Sequence, residues 1–497
     1  MKLLPTGREG HVFFVLHMIV ALALKWGLGL DIQADPRVVG NWNAYWQHIP
    51  LDLLQTRMWE SILHLHSQPP LHNLYGGLLL KSFGAYQLQA MQYINIFLGS
   101  LMSAMFYPLL FSVTGRPKLS LAASVLHALN PALFLYEAYP LYPLPSAFLV
   151  LLSVHFVGRY VNTNRTIHLL AFIFTLNILI LYRSLFHPVF LAASIIVTFC
   201  AAGPGRKRFL ACALGISLLS VSWFVKNQVQ FGFFGSSSWV GQNLWRIAAF
   251  PYTPDELRVL AGEGVIDKMM LEVRFFERPA RYRPYGFRET SPVAILSGET
   301  LHNINIIAVS RVYGRSAVRL IKHDPYRYLK TVFVSYSIFC APSPTFIHLA
   351  ANQRKVSLLS HIWAYAVYGQ LAVDLLTRIL KQEYIGSVHF FLVPACLIVF
   401  FFRLVRSMGS NSVQETLRSE LVLVISSMFV LYVTAAGSFL EVGENLRFKL
   451  LIESVQLLFF LGVIFPVEAG AGGMAGMEPR SSSAPLEETA QNSSLSG

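Results

Sequence analysis

Asp31 and Asp35 follow directly on a long apolar run, in a stretch that is otherwise polar and aromatic. A carboxylate tethered to a helix end at a membrane surface can take the proton from a hydroxyl arriving out of water. The competing reading makes both of them solvated loop acids, with Asp35-Pro36 an ordinary turn. Further on stands His66-Ser67-Gln68-Pro69-Pro70-Leu71-His72. Its two prolines hold the chain extended before a helix starts, which would aim His66, Gln68 and His72 into a cleft. Lys81, near the same surface, either holds a lipid-linked phosphate as a point charge or snorkels at the interface. Arg183 and Arg447 fall at the ends of apolar runs, where a guanidinium needs a phosphate or an acid such as Glu444 or Glu453 beside it. A base plus cations suffices to move a group off a phosphate, because phosphate is already a stable leaving group and needs no proton. The histidines show no metal-ligand spacing, so a divalent metal stays open as a cofactor without a visible ligand set.

The elements that must position these residues follow from composition. Of 497 residues, 54% are hydrophobic and only 13% charged. Soluble domains carry about 25% charged residues, so this composition excludes an ordinary soluble protein and points to an all-α integral membrane protein. The net charge of +13 fits basic cytoplasmic loops, anionic headgroups or phosphate substrates. No basic run or stacking-aromatic motif supports nucleic acid as a partner. The four cysteines sit in apolar stretches without a CxxC pair and read as small buried hydrophobes.

Apolar runs at spanning length lie near 12–30, 89–113, 119–135, 141–158, 167–182, 186–202, 209–225, 329–345, 361–380, 386–402, 421–440 and 448–465. At about 20 residues per crossing this predicts about 12 spans, within a range of about 11–13. The run at 329–345 is broken by Pro342 and Pro344 and reads as a span or a re-entrant segment. Arg116/Lys118, Arg159/Arg165 and Arg206–Arg208 occupy alternate links, which places the N-terminus and these links in the cytoplasm. The first loop, 31–74, then lies outside, with a short interfacial helix over 56–65 that puts Met58, Ile62 and Leu65 on one face. Residues 1–225 form one transmembrane module, 226–328 an extracytoplasmic domain, 329–465 the remaining spans, and 466–497 a polar, Gly/Ala/Ser-rich disordered tail. Asp374 and Glu453 fall inside apolar runs and read as proton-relay groups or as partners of a nearby arginine.

The order of these motifs resembles the GT-C class of membrane glycosyltransferases, in the branch of the protein O-mannosyltransferases and the lipid A aminoarabinose transferases. The resemblance rests on early acids in the first outer loop, His66-x-Gln68-Pro69-Pro70-Leu71-x-x-Leu74 and Lys81-x-Phe83-Gly84. Asn130-Pro131-Ala132-Leu133 then leads to Glu137, Lys226-Asn227 closes a span, and Ser237-Ser238-Trp239-Val240-Gly241 opens the outer domain. Gly443-Glu444-Asn445-Leu446-Arg447-Phe448 stands before the last span and resembles the family's Glu-x-x-Arg-Phe/Tyr element. The match covers about residues 1–465. Departures are a first-loop acid pair split by three residues, Leu80 where the aminoarabinose branch has an acid, and no C-terminal soluble repeats.

The resemblance implies a sugar donor on a polyprenyl or dolichyl phosphate and inverting transfer at the non-cytoplasmic face. The acceptor is a glycan, a lipid or a protein hydroxyl. Asp35 or Asp31 would be the base. His66, Gln68, Lys81, Glu137, Arg183, Glu444 and Arg447 would bind substrate, with Lys81 and an arginine on the phosphate. The expected location is a bacterial inner membrane, or the endoplasmic reticulum in a eukaryote. The alternative reading is a transporter or flippase of lipid-linked sugars, whose key charges would sit at mid-membrane.

Overall fold

The computed structural model describes residues 8–33, 42–203, 205–288, 291–380 and 385–467. Asp35 and the tail beyond 467 lie outside the described residues. Among those described, all regular structure is helical.

The chain opens with α1 (Arg8–Gly27), crosses a loop carrying α2 (Leu51–Thr56) and α3 (Met58–Leu63), and returns as α4 (Leu71–Phe83) and α5 (Gln87–Thr114). The expected interfacial helix is thus two short ones broken at Arg57, with Met58, Ile62 and Leu65 buried as the pattern required. Next come α6 (Pro117–Ala128), α7 (Pro131–Glu137), α8 (Pro143–Thr163), α9 (Thr166–Tyr182), α10 (Pro188–Ala201) and α11 (Arg206–Phe231). Four of these open on proline, whose missing N–H costs nothing in a first turn. A compact unit follows, with α12 (Val240–Ala249), α13 (Pro254–Gly262), α14 (Met269–Glu272) and α15 (Asn305–His323) around its own core of Trp239, Trp245, Met269, Tyr282 and Tyr313. In it α12 crosses α15 at Gly241, where any Cβ would land on the Ser310 carbonyl.

After α16 (Pro325–Cys340), residues 341–356 run as a strap of short turns that includes α17 (Ala350–Gln353). Then come α18 (Ser357–Ala366), α19 (Gln370–Leu380), α20 (His389–Ser410), α21 (Val413–Ser419), α22 (Leu421–Phe439) and α23 (Leu446–Ile464). The last of these is the hub: α23 packs on α8, α22, α5, α20 and α16, and its flanks meet Phe106, Leu151, Phe339 and Phe429 in the main core.

The molecule is a multi-pass membrane protein. Among the described residues, seven helical segments are long and apolar enough to cross a bilayer, or eight if α18 and α19, bent by 71°, form one span. The expected count of about twelve is not confirmed, for three physical reasons. Helices α9 and α10 hold only 17 and 14 residues, about 25 and 21 Å at 1.5 Å per residue, short of a ~30 Å core. Helix α23 has the length but carries Arg447, Lys449 and Glu453. At 329–345 the helix stops at Cys340 and the strap begins.

Two intramembrane acids find partners other than arginine. Glu453 accepts hydrogen bonds from Ser343, from Asn130 at 3.4 Å and from Trp363 at 3.3 Å. Asp374 accepts from Gln370 at 2.9 Å. A third acid, Glu137, is buried at the end of α7 and meets His17 of α1 at 2.6 Å. The other ring nitrogen of His17 donates to the Ala128 carbonyl at 2.8 Å, so the ring is saturated. Gly99 on α5 leaves room for this pair, because a Cβ there would overlap the Glu137 carboxylate. Glu137 therefore ties α1, α5 and α7 together. Breaking one partner of a buried pair costs about 3–5 kcal/mol. Glu137→Gln and Gly99→Ala should both lower the melting temperature in detergent, by loss of the pair and by overlap respectively. A Glu137→Gln protein as heat-stable as the parent would remove the pair from the scaffold.

Candidate active site

Arg183 ends α9. Its backbone N–H closes the last turn on Leu179 at 2.9 Å and its own backbone is already extended, φ −140° and ψ 124°. The side chain is only 3% exposed, yet Nε and one terminal nitrogen have no partner. The guanidinium lies 3.8 Å from the Tyr142 ring centre and 4.7 Å from that of Phe448. Cation–π contact offsets part of the desolvation, but it leaves the N–H groups in the guanidinium plane free to donate.

Arg447, in the first turn of α23, is buried beside it. Arg447 reaches Glu444 at 2.8 Å, and its Nε is also without a partner. Arg246 comes from α12 and meets Glu441 at 2.9 Å and Glu444 at 3.5 Å. Gly443 takes a φ of +90°, so the turn between α22 and α23 can present both carboxylates to Arg246. Three guanidiniums therefore face two carboxylates. Burial pushes Glu441 up to about 6 against the pull of Arg246, whereas Arg447 holds Glu444 below its usual value. Asn130 caps α7, its side chain accepting from Ala132 N–H at 2.8 Å, and this sets the short link that carries Tyr139 and Tyr142 to the arginines.

The first loop supplies the opposite wall. Gln68 accepts from Ser184, the residue after Arg183, at 3.1 Å. His66 has both ring nitrogens engaged, with Ser238 at 2.9 Å and the His302 carbonyl at 2.7 Å. It seals the loop to the compact unit, and burial lowers it to about 3. His302 continues the seam through Ser67 at 2.5 Å and the His48 carbonyl at 2.8 Å, and His48 meets His72 at 3.0 Å. Lys226 extends the seal by donating to the Leu63 and Leu65 carbonyls at 3.1 and 2.6 Å.

Asp31 stands just past α1 and its side chain is half-exposed. Lys25 lies 3.3 Å from it. Asn352 of the strap brackets its backbone at 2.9 and 3.4 Å. The same strap stacks Phe346 on Tyr136 and sets it edge-on to Tyr139. The strap thus links the first-loop acid to the aromatic link beside the arginines.

Of the residues singled out by sequence, Gln68, Arg183, Glu444 and Arg447 converge here, with Asp31 at the margin. His66 is in the seam. Lys81 is not brought in: it sits exposed in the last turn of α4 and donates to the Gln55 carbonyl at 3.0 Å. Glu137 is turned into the bundle toward His17. Sequence reasoning missed Arg246, which lies in no motif, and Glu441, which stands three residues before Glu444 and was within reach. Among the described residues no three His, Cys, Asp or Glu gather so as to hold a metal ion.

No protein-family model matches the sequence, and no curated protein matches it. Among solved structures, the fold is similar to the archaeal oligosaccharyltransferase AglB from Archaeoglobus fulgidus, solved in complex with an inhibitory peptide and a dolichol-phosphate. The overlap has 13% identity and a TM-score of 0.42, and it covers 92% of this chain and 50% of that one. The chain thus spans about half the length of that structure.

Proposed function

We propose that this protein is a membrane glycosyltransferase that takes a sugar from a polyprenyl- or dolichyl-phosphate donor and passes it to a hydroxyl at the face bearing the compact unit. That face is the non-cytoplasmic one, as the arrangement of basic links suggests. The observation that carries the reading is the buried Arg183, with two unpartnered nitrogens, beside Arg447, whose Nε is also free although Glu444 holds its other edge. An anion that accepts from both relieves the desolvation of each. A sugar phosphodiester carries one negative charge, and the departing lipid phosphate gains a second as its bond to the anomeric carbon breaks. Fixed guanidiniums that meet this growing charge lower the barrier. Asp31 or Asp35 takes the proton of the acceptor hydroxyl, whose oxygen attacks the anomeric carbon from the side opposite the phosphate, so configuration inverts. Gln68, held by Ser184, lines the sugar side. The resemblance to the protein O-mannosyltransferases and lipid A aminoarabinose transferases implies a first-loop acid as base and a lysine with an arginine on the phosphate; in this reading two arginines take that place. The acceptor is a glycan, lipid or protein hydroxyl.

A second reading, transport of a lipid-linked sugar, draws on the buried Lys449 and Glu453, one to two turns inside α23. Release of sugar from its carrier by purified protein in detergent separates the two, since a flippase does nothing without two compartments.

Arg183→Ala and Arg447→Ala should each lower turnover at saturating donor, by an amount within the ~2–5 kcal/mol of truncating one partner of a desolvated charge contact. Arg447→Lys should recover part of it, a point charge lacking the guanidinium fork. Unchanged turnover in both alanine variants would remove the phosphate site. Asp31→Asn or Asp35→Asn should abolish transfer while leaving the folded yield intact; full activity in both sinks the loop-acid mechanism.

The pH response has a definite sign. Glu441 is an acid whose folded pKa is raised, to about 6. It takes up a proton as pH falls through 6, and the cluster gains positive charge. Over the same window the folded state binds more protons than the unfolded one, so this group adds stability on acidification. Donor affinity should therefore rise between pH 7 and 5, the phosphodiester keeping its charge throughout. Glu441→Gln should flatten that profile, and an unaltered slope in Glu441→Gln would assign the response elsewhere.

A further inference from the structure

Beyond the arginines, the border of the site is aromatic. Trp46 of the first loop is 49% exposed, and its ring centre lies 5.6 Å from that of Phe276 in the compact unit. Phe276 and its neighbour Phe275 are half-buried, their rings 5.5 Å apart and nearly at right angles. Both ends of this surface run into the site. At one end the Arg246 guanidinium lies 5.9 Å from the Phe275 ring centre while it holds Glu441 at 2.9 Å. At the other, Tyr45, the residue before Trp46, sets its ring edge-on to Tyr139 at 6.2 Å, and Tyr139 belongs to the link beside the arginines. The backbone at Phe276 is strained: its φ is +58°, a left-handed conformation that a bulky side chain rarely adopts. Gln242 holds it there by accepting the Phe276 N–H at 2.7 Å, and Trp239 backs the ring at 5.4 Å. Glycine would take this φ freely, so what phenylalanine adds at this position is the ring. Strain of this kind gathers at ligand clamps.

An open aromatic surface edged by cations has a matching ligand chemistry. A pyranose carries an apolar face of axial C–H groups and a rim of hydroxyls. The C–H groups rest on the electron-rich face of an aromatic ring, and the hydroxyl oxygens accept from donors beside it. Here the donors are Arg246 and the exposed Arg274, whose guanidinium lies 5.5 Å from the Phe275 ring centre. A lipid chain would cover the rings but strip water from both guanidiniums without replacing its hydrogen bonds.

We propose that Trp46 and Phe276 form a stacking platform for a pyranose of the acceptor, which makes the acceptor a glycan. Its role as acceptor rests on the sugar-transfer reading, whereas the carbohydrate contact is measurable without turnover. Saturation-transfer NMR on the full-length protein in phosphatidylcholine nanodiscs, free of sugar-headed detergent and of donor, tests it. The probes are methyl pyranosides of glucose, galactose, mannose, rhamnose and N-acetylglucosamine, with sorbitol as the open-chain control and a serine-rich peptide as the rival acceptor. At least one pyranoside should show ring C–H saturation about fivefold or more above sorbitol, and Trp46→Ala should remove most of that excess, as expected for the loss of a stacking contact. Trp46→Phe should keep most of it. Phe276→Gly, which removes the ring and relaxes the backbone, should act like Trp46→Ala. Arg183→Ala, in the phosphate site, should leave the contact in place. With the contact intact and no sugar released from a lipid donor, the platform stands and the transfer reading fails. No pyranoside contact in the parent, or a contact unchanged in both Trp46→Ala and Phe276→Gly, would overturn the platform even where sugar release persists. Saturation of the peptide in place of the pyranosides, lost in Trp46→Ala, would overturn the assignment to a glycan.

Discussion

The organisation of this protein turns on one unsatisfied charge. Removing a guanidinium from water costs several kcal/mol even after relaxation, and Arg183 is 3% exposed without an acid in contact. Tyr142 and Phe448 clasp its faces and recover a part, on the order of 2 kcal/mol for a desolvated contact. The remainder is a standing attraction for an anion. Glu441 and Glu444 do not discharge it, because Arg246 and Arg447 already hold them. Arg246, unconnected with any motif, thus takes up the acid charge nearest the central arginines.

Much of the surrounding polar chemistry serves to hold the pieces that border this charge. Lys449 donates to the Cys340 and Ala341 carbonyls at 2.8 and 3.3 Å, meeting groups that the end of α16 leaves without intrahelical partners. One turn further along, Glu453 holds Ser343 at the start of the strap. Both lie on α23 with Arg447, so one helix fixes that half-satisfied arginine and the segment that reaches Asp31. A displacement of α23 would move all of these together, which suits a helix packed on five others.

What was legible in the sequence follows from range. Motifs set by local rules were readable: Pro69-Pro70 before α4, and Glu444 with Arg447 three residues on, which the structure pairs at 2.8 Å. Contacts across the bundle were not. Glu137 was singled out because it follows the Asn130-Pro131-Ala132-Leu133 match in a short link, but its side chain turns inward to His17, 120 positions earlier in the chain. Lys81 followed a suggestive spacing, yet ten residues of helix beyond Leu71 carry it about 15 Å from the start of α4. The expected count of about twelve is not confirmed, because hydropathy scores apolarity whereas spanning length is a separate requirement, and α9 and α10 are short of it. Helix α23 is the reverse case: its buried charges lower its apparent fitness to span although it is central to the core.

The two polar regions around the site also differ in how they respond to protons. His66 and His302 are held neutral by burial, at about 3 and 4, and their ring nitrogens are committed to serine hydroxyls and carbonyls. His48 is driven the same way by burial and by His72. The seam between first loop and compact unit therefore keeps its hydrogen bonds throughout the range from 5 to 8. Glu441 titrates inside that range. Burial acts on both, with opposite consequences: it removes the charged state of a base already near neutrality, and it lifts an acid toward neutrality. The wall of the site is thus insensitive to pH while its electrostatic floor is not, so a change in anion affinity near pH 6 needs no rearrangement of the loop that borders the anion.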